Sequence, residues 1–332
     1  MLNRFTYLAL VLLLAGCSVA HKQPSSQALQ PAVVFCGDSA YAYVAGQVAF
    51  GPRVPGSDAH NDCVQYIGHT MERFGAKVEI QTGEVQRYDG QWQHVANIIA
   101  RLPADSGFTD KPAIMLCAHY DSRPWADQEE DYDKRMIPIL GANDGASGVG
   151  VLMEVARQWQ NLNVRKHPLD VVLFDSEDMG TPAFYTGKQL PHTWCLGAQL
   201  WARSYRQSVI SNQQSAIEYG ILLDMVGDPN AAVPREYYSE QFAQKYVDRI
   251  WRAAEQQGFS HRFVSSKAYP ITDDHYYVNT VAKIPCVDII HYIPNSDTGF
   301  PWWWHTSKDD MSNISPNTLQ EVGKVVMKVI SE

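Results

Sequence analysis

Residues 113–121 are AIMLCAHYD, an apolar run that ends abruptly in an imidazole and a carboxylate. A strand with apolar side chains on both faces is typical of a parallel sheet that is covered on both sides. Similar dense runs of Val, Ile and Leu occupy 94–102, 169–174, 219–223 and 285–292. We predict one buried strand from each of the five runs, the second of which is 113–118.

Helical patterns lie between these runs, at 57–74, 148–162, 239–257 and 318–330. Alternating strands and helices predict an α/β fold with a mostly parallel central sheet and helices on both faces. Because the alternation continues through the whole body, we expect a single catalytic domain at 32–332. It would follow a leader at 1–16 and a tether at 17–31.

The leader has a short basic start at Arg4 and an apolar run at 7–14 that is too short to span a bilayer. The run ends Leu14-Ala15-Gly16-Cys17, which resembles the lipobox of bacterial lipoproteins, in which the cysteine is acylated. The alternative is a plain secretory signal in which Cys17 is incidental. We predict lipidation at Cys17, export, and anchoring to the outer membrane facing the periplasm, since Ser18 follows the cysteine.

The net charge and the cysteine spacing argue against one class of partner and one class of metal site. The net charge of −9 argues against nucleic acid as a partner. No CxxC spacing is present, which argues against a thiolate metal site. Cys117 and Cys286 lie in apolar runs and are expected to be buried, whereas Cys36 and Cys63 could form a disulfide.

Acidic or imidazole side chains follow three of the predicted strands. Ligands of open α/β sheets bind beyond the carboxyl ends of the strands, so these groups should meet at one edge. A protein core does not accept them unpaired, which favours a metal or catalytic cluster. The three segments are His119-Tyr120-Asp121, Asp175-Ser176-Glu177-Asp178 and Asp224-Met225-Val226-Gly227-Asp228.

Three loops add to this cluster. Asp144 lies in the small-residue loop 141–148, where its alternative role is to cap the following helix. A second loop is 272–275, which contains Asp273, and a third contains three consecutive tryptophans before His305. We expect these tryptophans to form pocket walls. Oxygen and imidazole ligands without thiolate indicate a catalytic Zn²⁺ site. The sequence has no loop with EF-hand spacing, which argues against calcium.

These segments resemble the M28 family of zinc aminopeptidases and, within it, the glutaminyl-peptide cyclotransferases (glutaminyl cyclases), whose fold is a zinc aminopeptidase/phosphorylase-hydrolase-like sandwich. The M28 pattern spans residues 119–306. The likeness to cyclases rests on fewer segments, which are Asp175-Ser176-Glu177-Asp178, Asp224-Met225-Val226-Gly227, His291-Tyr292-Ile293-Pro294 and Phe300-Pro301-Trp302-Trp303-Trp304-His305.

The resemblance implies one zinc ion per chain, held by Asp144, Asp178 and His305. His119 matches a ligand of the second metal in two-zinc aminopeptidases, and in this chain it is either such a ligand or structural. Asp178 stands where the animal cyclases have Glu, so its backbone must approach the ion more closely, or it exchanges roles with Glu177.

The resemblance also implies roles in catalysis. Glu177 would be the acid–base residue, with Asp224 and Asp273 in a carboxylate network beside it. The segment 179–191 does not align with the animal enzymes, and the loop 291–305 is longer. The expected substrate-contacting residues are Phe300, Trp304 and, as the candidate for an unaligned pocket tryptophan, Trp194.

The activity implied is zinc-dependent cyclisation of N-terminal glutamine in peptides or proteins to pyroglutamate, with release of ammonia. One alternative is a two-zinc M28 aminopeptidase, in which activated water attacks a peptide bond. A second alternative is a non-catalytic lipoprotein that binds peptides or glycans through its tryptophan-rich loop.

Overall fold

The predicted strands are present in the structure, a computed structural model that describes residues 35–211 and 216–332. Its strands are β1 Lys77–Gln86, β2 Trp92–Leu102, β3 Ala113–His119, β4 Leu169–Phe174, β5 Ile217–Asp224, β6 Val233–Arg235, β7 Phe263–Lys267 and β8 Cys286–Ile290. Its α-helices are α1 Gly37–Val48, α2 Asp58–Arg73, α3 Ala146–Trp159, α4 Leu196–Ile210, α5 Tyr237–Gln256, α6 Asp274–Tyr277 and α7 Pro316–Ser331.

The central sheet has six strands in the order β1-β2-β4-β3-β5-β8, and β6 pairs with β7 in a separate ribbon. The strands β4, β3, β5 and β8 run parallel, whereas β1 and β2 form an antiparallel hairpin at one edge. All described residues belong to one compact unit. The prediction of an α/β domain with a mostly parallel sheet is therefore confirmed.

The position of β3 in the sheet explains why its sequence is apolar up to His119. Ile114 and Leu116 pack into a core formed with α1, α2, α3, α5 and α7. Met115 and Cys117 point the other way, into a core formed with α4 and α6. Each face of the sheet is thus covered by helices, and burying each large side chain contributes about 1.5–3 kcal/mol.

Several elements lie outside the sequence prediction. Strand β1 was not predicted because it is an edge strand whose side chains are mostly exposed, so it has no dense apolar run. The helices α1, α4 and α6 and the short strands β6 and β7 were not predicted either. Strand β8 is shorter than the predicted 285–292, since it ends at Ile290.

The leader at 1–16 and the tether at 17–31 lie outside the described residues. None of the helices in the described part of the chain has the length and apolarity to cross a bilayer.

Candidate metal centre and active site

The parallel strands bring the predicted site residues to one edge of the sheet. His119 ends β3 and pairs with the last residue of β4, so the segment 175–178 follows on the same side. Asp224 ends β5, the other neighbour of β3. Helix α3 packs closely on this edge, because a Cβ at Gly148 would lie 2.2 Å from the carbonyl oxygen of Leu223. Asp144, just before α3, is thereby held beside Asp224.

The first candidate metal triad consists of Asp144, Asp178 and His305, whose ligand atoms lie within 4.8 Å of one another. His305 Nε2 lies 3.0 Å from Asp178 Oδ1 and 3.5 Å from Asp144 Oδ2. All three residues are buried. Asp178 Oδ2 has no hydrogen-bond partner among the described residues. The structure thus brings together the ligand set that the resemblance implies.

A second triad shares Asp144 with the first and adds His119 and Asp224. His119 Nε2 lies 3.0 Å from Asp144 Oδ1 and 3.4 Å from Asp224 Oδ1. Within 35–211 and 216–332, neither His119 Nε2 nor Asp224 Oδ1 finds a hydrogen-bond partner of good geometry. Both atoms are therefore available to bind the same cation.

The electrostatics of both triads favour a cation. Burial alone lowers the pKa of His305, but Asp178 and other neighbours outweigh burial and raise this pKa to about 10. Burial also opposes a charged His119, yet Asp121, Asp144 and Asp224 hold its pKa well above the usual range. The carboxylate excess, the unpartnered buried ligand atoms and the oxygen–imidazole donor set fit Zn²⁺.

Arg123 and Asp127, two residues that the motifs do not single out, hold the first triad in place. Arg123 Nε and Nη2 each donate to one oxygen of Asp127, both at 2.7 Å. Arg123 Nη1 donates to the backbone oxygen of Asp178 at 2.9 Å, and Asp127 Oδ1 lies 3.4 Å from His305 Nδ1. This buried pair therefore orients two of the three ligands. An Arg and an Asp four residues apart, just after a predicted strand end, are the available sequence signal.

Two further buried carboxylates fix the backbone of the ligands. Asp121 accepts hydrogen bonds from the backbone N–H groups of Glu177 at 3.1 Å and Asp178 at 3.2 Å. Asp309 accepts one from the N–H of Asp144 at 3.0 Å. Each carboxylate therefore fixes the backbone of a turn that carries a metal ligand. Neither residue was predicted to have this role.

Glu177, Asp224 and Asp273 line the same cavity as the first triad. Burial, and then the charge of Asp178, raise the pKa of Glu177 well above its usual range. Burial raises the pKa of Asp224 to about 7 and also raises that of Asp273. A carboxyl group with a proton affinity of this kind can both accept and donate a proton near neutral pH.

Unusual backbone conformations cluster at these residues. Ser176, Cys195, Met225 and His305 have φ angles of 55°, 57°, 49° and 55°. Left-handed backbone disfavours residues with a Cβ, and such residues persist mainly where the surroundings force them, often at functional sites.

The cavity has a volume of about 560 Å³, and aromatic rings form part of its wall. The Trp304 ring stacks on His305 with centroids 3.6 Å apart, and Phe300 lies 4.6 Å from Trp304. Trp194 lies nearly parallel to His305, with 9° between the planes and 6.1 Å between the centroids. The structure therefore places the three predicted substrate-contacting residues, Trp194, Phe300 and Trp304, in the cavity wall.

The expectation that three consecutive tryptophans line the pocket was wrong for two of them. Trp302 is 72% exposed and lies outside the cavity wall. Trp303 is fully buried, and its Nε1 donates to Asp228 Oδ2 at 2.6 Å. Only Trp304 of the three faces the cavity, because neighbouring side chains in this turn point in different directions.

The suggested pairing of Cys36 with Cys63 was also wrong. All five cysteines in the described part of the chain are free thiols. Asp144 does not cap α3, since the N-cap position is Gly145 and no side chain caps that helix. Asp144 is therefore free to serve as a ligand.

The chain belongs to peptidase family M28, whose sequence pattern matches residues 97–330. It is 44% identical to a Zn-dependent exopeptidase from Parabacteroides distasonis, with 90% of this chain and 99% of that chain covered and a TM-score of 0.84.

Within this class, the chain is similar to glutaminyl cyclases. It is 41% identical to the glutaminyl cyclase of Tannerella forsythia, again with 90% and 99% of the two chains covered and a TM-score of 0.84. The glutaminyl-peptide cyclotransferase of Dictyostelium discoideum is 25% identical over a match that covers 64% of this chain. The same match covers 58% of that relative's length. The resemblance that the motifs indicate is confirmed.

Proposed function

We propose that this protein is a zinc-dependent glutaminyl-peptide cyclotransferase, which converts the N-terminal glutamine of peptides or proteins to pyroglutamate and releases ammonia. The observation that carries the proposal is one cavity in which Glu177 faces a complete metal triad beneath the aromatic rings of Trp194 and Trp304. The 41% identity to a glutaminyl cyclase over 90% of the chain supports the same activity.

The cavity suits a flat, neutral side chain that must fold back on its own amine. Aromatic rings bound the space beside His305, which favours a compact amide over a long extended chain. The carboxyl groups of Glu177, Asp224 and Asp273 lie in the same wall and would attract the N-terminal amine. Holding the amine against the γ-amide carbon is an orientation effect that can lower the barrier strongly.

The α-amine of the substrate is the nucleophile, so the protein needs to supply only proton transfer and charge stabilisation. Glu177 would take a proton from the amine as the ring C–N bond forms, and return it to the departing nitrogen, which leaves as ammonia. A zinc ion held by Asp144, Asp178 and His305 would act as a Lewis acid on the γ-carbonyl oxygen. Asp224 and Asp273 would hold Glu177 in a field of negative charge that strengthens its hold on the proton.

We propose one zinc ion per chain, at the triad that contains His305. Access supports this choice, because all three residues of that triad line the cavity. In the other triad, Asp144 and Asp224 line the cavity, whereas His119 does not. Arg123 and Asp127 also brace the His305 triad specifically.

The two-zinc aminopeptidase remains the second candidate function. The observation in its favour is the His119 triad, whose ligand atoms also lie within 4.8 Å of one another and which shares Asp144 with the first triad. The similarity to a Zn-dependent exopeptidase points the same way. A non-catalytic binding protein fits less well, since binding alone requires neither a complete ligand triad nor Glu177 beside it.

One assay separates these functions. Zinc-loaded protein is offered Gln-Ala and Leu-Ala dipeptides in parallel, and the products are identified by mass spectrometry and ammonia release. We expect pyroglutamyl-Ala and ammonia from the first peptide and no cleavage of the second. Free leucine without pyroglutamate would establish the aminopeptidase, and no turnover of either would favour a binding protein.

We further propose that the enzyme is exported and anchored to the outer membrane through lipid on Cys17. The support is the sequence alone, in the short apolar run followed by Leu14-Ala15-Gly16-Cys17. Replacing Cys17 by Ser should release an active enzyme from the membrane fraction. Wild-type protein that fractionates as soluble and carries no lipid mass on its N-terminal peptide would contradict this proposal.

A further inference from the structure

Cys195 contacts the proposed acid–base residue directly. Its Sγ lies 3.1 Å from Glu177 Oε1, and both side chains are buried. The backbone N–H of Cys195 also donates to the backbone oxygen of Glu177 at 2.9 Å. One residue therefore holds Glu177 through two independent hydrogen bonds.

The start of α4 is built around this contact. The N–H groups of Cys195, Leu196 and Gly197 donate to successive carbonyl oxygens of the turn 175–177, at 2.9, 3.1 and 3.0 Å. These bonds satisfy amide groups that side-chain caps usually satisfy at a helix N-terminus. Cys195 itself is in the left-handed region, with φ 57° and ψ 39°, where glycine would be the relaxed choice. A Cβ-bearing residue at this position is thus held against its backbone preference, with its thiol facing Glu177.

The other buried thiols do not share this environment. Cys63 lies in α2 and packs in the apolar core. Cys117 lies in β3 beside the thiol of Cys286, and its Sγ lies 3.7 Å from the backbone oxygen of Ile221. Burial and the charge of Glu177 raise the pKa of Cys195 well above the usual range, so this thiol stays protonated and can donate.

We propose that Cys195 is a positioning residue for Glu177: its thiol donates to Oε1, and Oε2 is left to exchange the proton with the substrate. In the described part of the chain, no donor contacts Glu177 Oε2, and Glu177 forms part of the cavity wall. The two oxygens of one carboxyl group would then have different tasks. This inference rests on the proposed cyclase function for its kinetic consequence, but the contact itself does not.

The kinetic test compares Cys195→Ala and Cys195→Ser with Cys63→Ala, a buried thiol remote from Glu177. We expect Cys195→Ala to lower kcat for Gln-Ala about tenfold, with KM and zinc content unchanged. Cys195→Ser should recover most of kcat, because its hydroxyl can donate to the same oxygen. Cys63→Ala should keep the wild-type kcat. If Cys195→Ala misfolds, Cys195→Gly removes the same thiol with a residue that accepts the backbone conformation.

A spectroscopic test needs no substrate. The S–H stretching band of Cys195 is identified in the zinc-loaded enzyme by subtracting the infrared spectrum of Cys195→Ala. We expect this band to shift when Glu177 is replaced by Gln, because an amide is a weaker acceptor than a carboxylate. An unshifted band, wild-type kcat in Cys195→Ala, or Cys195→Ser as slow as Cys195→Ala would overturn the proposal. A shifted band in an enzyme that cyclises nothing would leave the contact standing and reject only the cyclase function.

Discussion

The two triads that share Asp144 differ in how they are supported and in what they face. The His305 triad lies open to the cavity, with Trp304 stacked on the imidazole and the Arg123–Asp127 pair behind it. The His119 triad meets the cavity only through Asp144 and Asp224, and the Nδ1 of its imidazole lies 3.4 Å from Asp121 Oδ1. Every member of the first triad lines the cavity, whereas only the two carboxylates of the second triad do.

This difference indicates how one fold serves two chemistries. A peptidase that activates water between two ions needs both triads filled and room between them. A cyclase needs one ion and a proton carrier, because the nucleophile belongs to the substrate. With its high pKa, His119 can remain as an imidazolium and offset the charges of Asp144 and Asp224 without a second ion.

The largest expected effect comes from replacing His305 by alanine, and the matching replacement of His119 is the comparison. His305→Ala should lose the zinc ion and lower kcat/KM by about 10³-fold or more, since the Lewis acid contributes several kcal/mol. His119→Ala should keep about one zinc ion per chain and lose far less activity. Elemental analysis and kinetics on both variants check this, and the opposite ranking would assign the ion to the His119 triad.

Glu177→Gln should keep the fold and the zinc ion but lower kcat on the order of 10²-fold or more, as expected for an acid–base residue. The matched control is Glu72→Gln, an exposed position on α2. Steady-state kinetics and zinc content are measured on both. A Glu177→Gln enzyme with nearly wild-type kcat would remove Glu177 from the chemistry and shift the acid–base role to Asp178 or Asp273.

Asp127→Asn tests the support behind the first triad. The amide cannot pair with Arg123 as the carboxylate does, so Asp178 and His305 lose their orientation, and zinc affinity should fall about 10–100-fold. Competition with a chelator measures the affinity, and the exposed Asp110→Asn is the control. Unchanged affinity would mean that the ligands are held without this pair.

Trp304→Ala and Trp302→Ala sharpen the distinction between the cavity wall and its surroundings. Removing the ring stacked on His305 should raise KM and lower kcat, together roughly tenfold in kcat/KM, while the zinc ion stays. Trp302 is 72% exposed, so its removal should change kcat/KM by less than about twofold. Equal effects from the two variants would place the substrate elsewhere.

The sequence predicted the features that depend on local pattern. Dense apolar runs predicted the central strands, and the charged residues directly after them predicted where the site would form. Asp144, Asp178 and His305 could be proposed as ligands because the motifs around them resemble M28 enzymes, and the structure brings them together.

Features that depend on long-range packing could not be predicted in this way. The contact of Asp127 with His305, and the hydrogen bond that Asp309 accepts from the N–H of Asp144, join segments far apart in sequence. The directions of Trp302 and Trp303 depend on the turn and on the hydrogen bond to Asp228. Neither propensity nor spacing contains this information.

Titrating metal-free enzyme with zinc tests the central claim most directly. Pyroglutamate formation from Gln-Ala and leucine release from Leu-Ala are followed as zinc is added in known equivalents per chain. We predict that pyroglutamate formation saturates at one equivalent, through the His305 triad, and that leucine is not released at any ratio. Activity that requires two equivalents, or leucine release that grows with the second, would contradict the account.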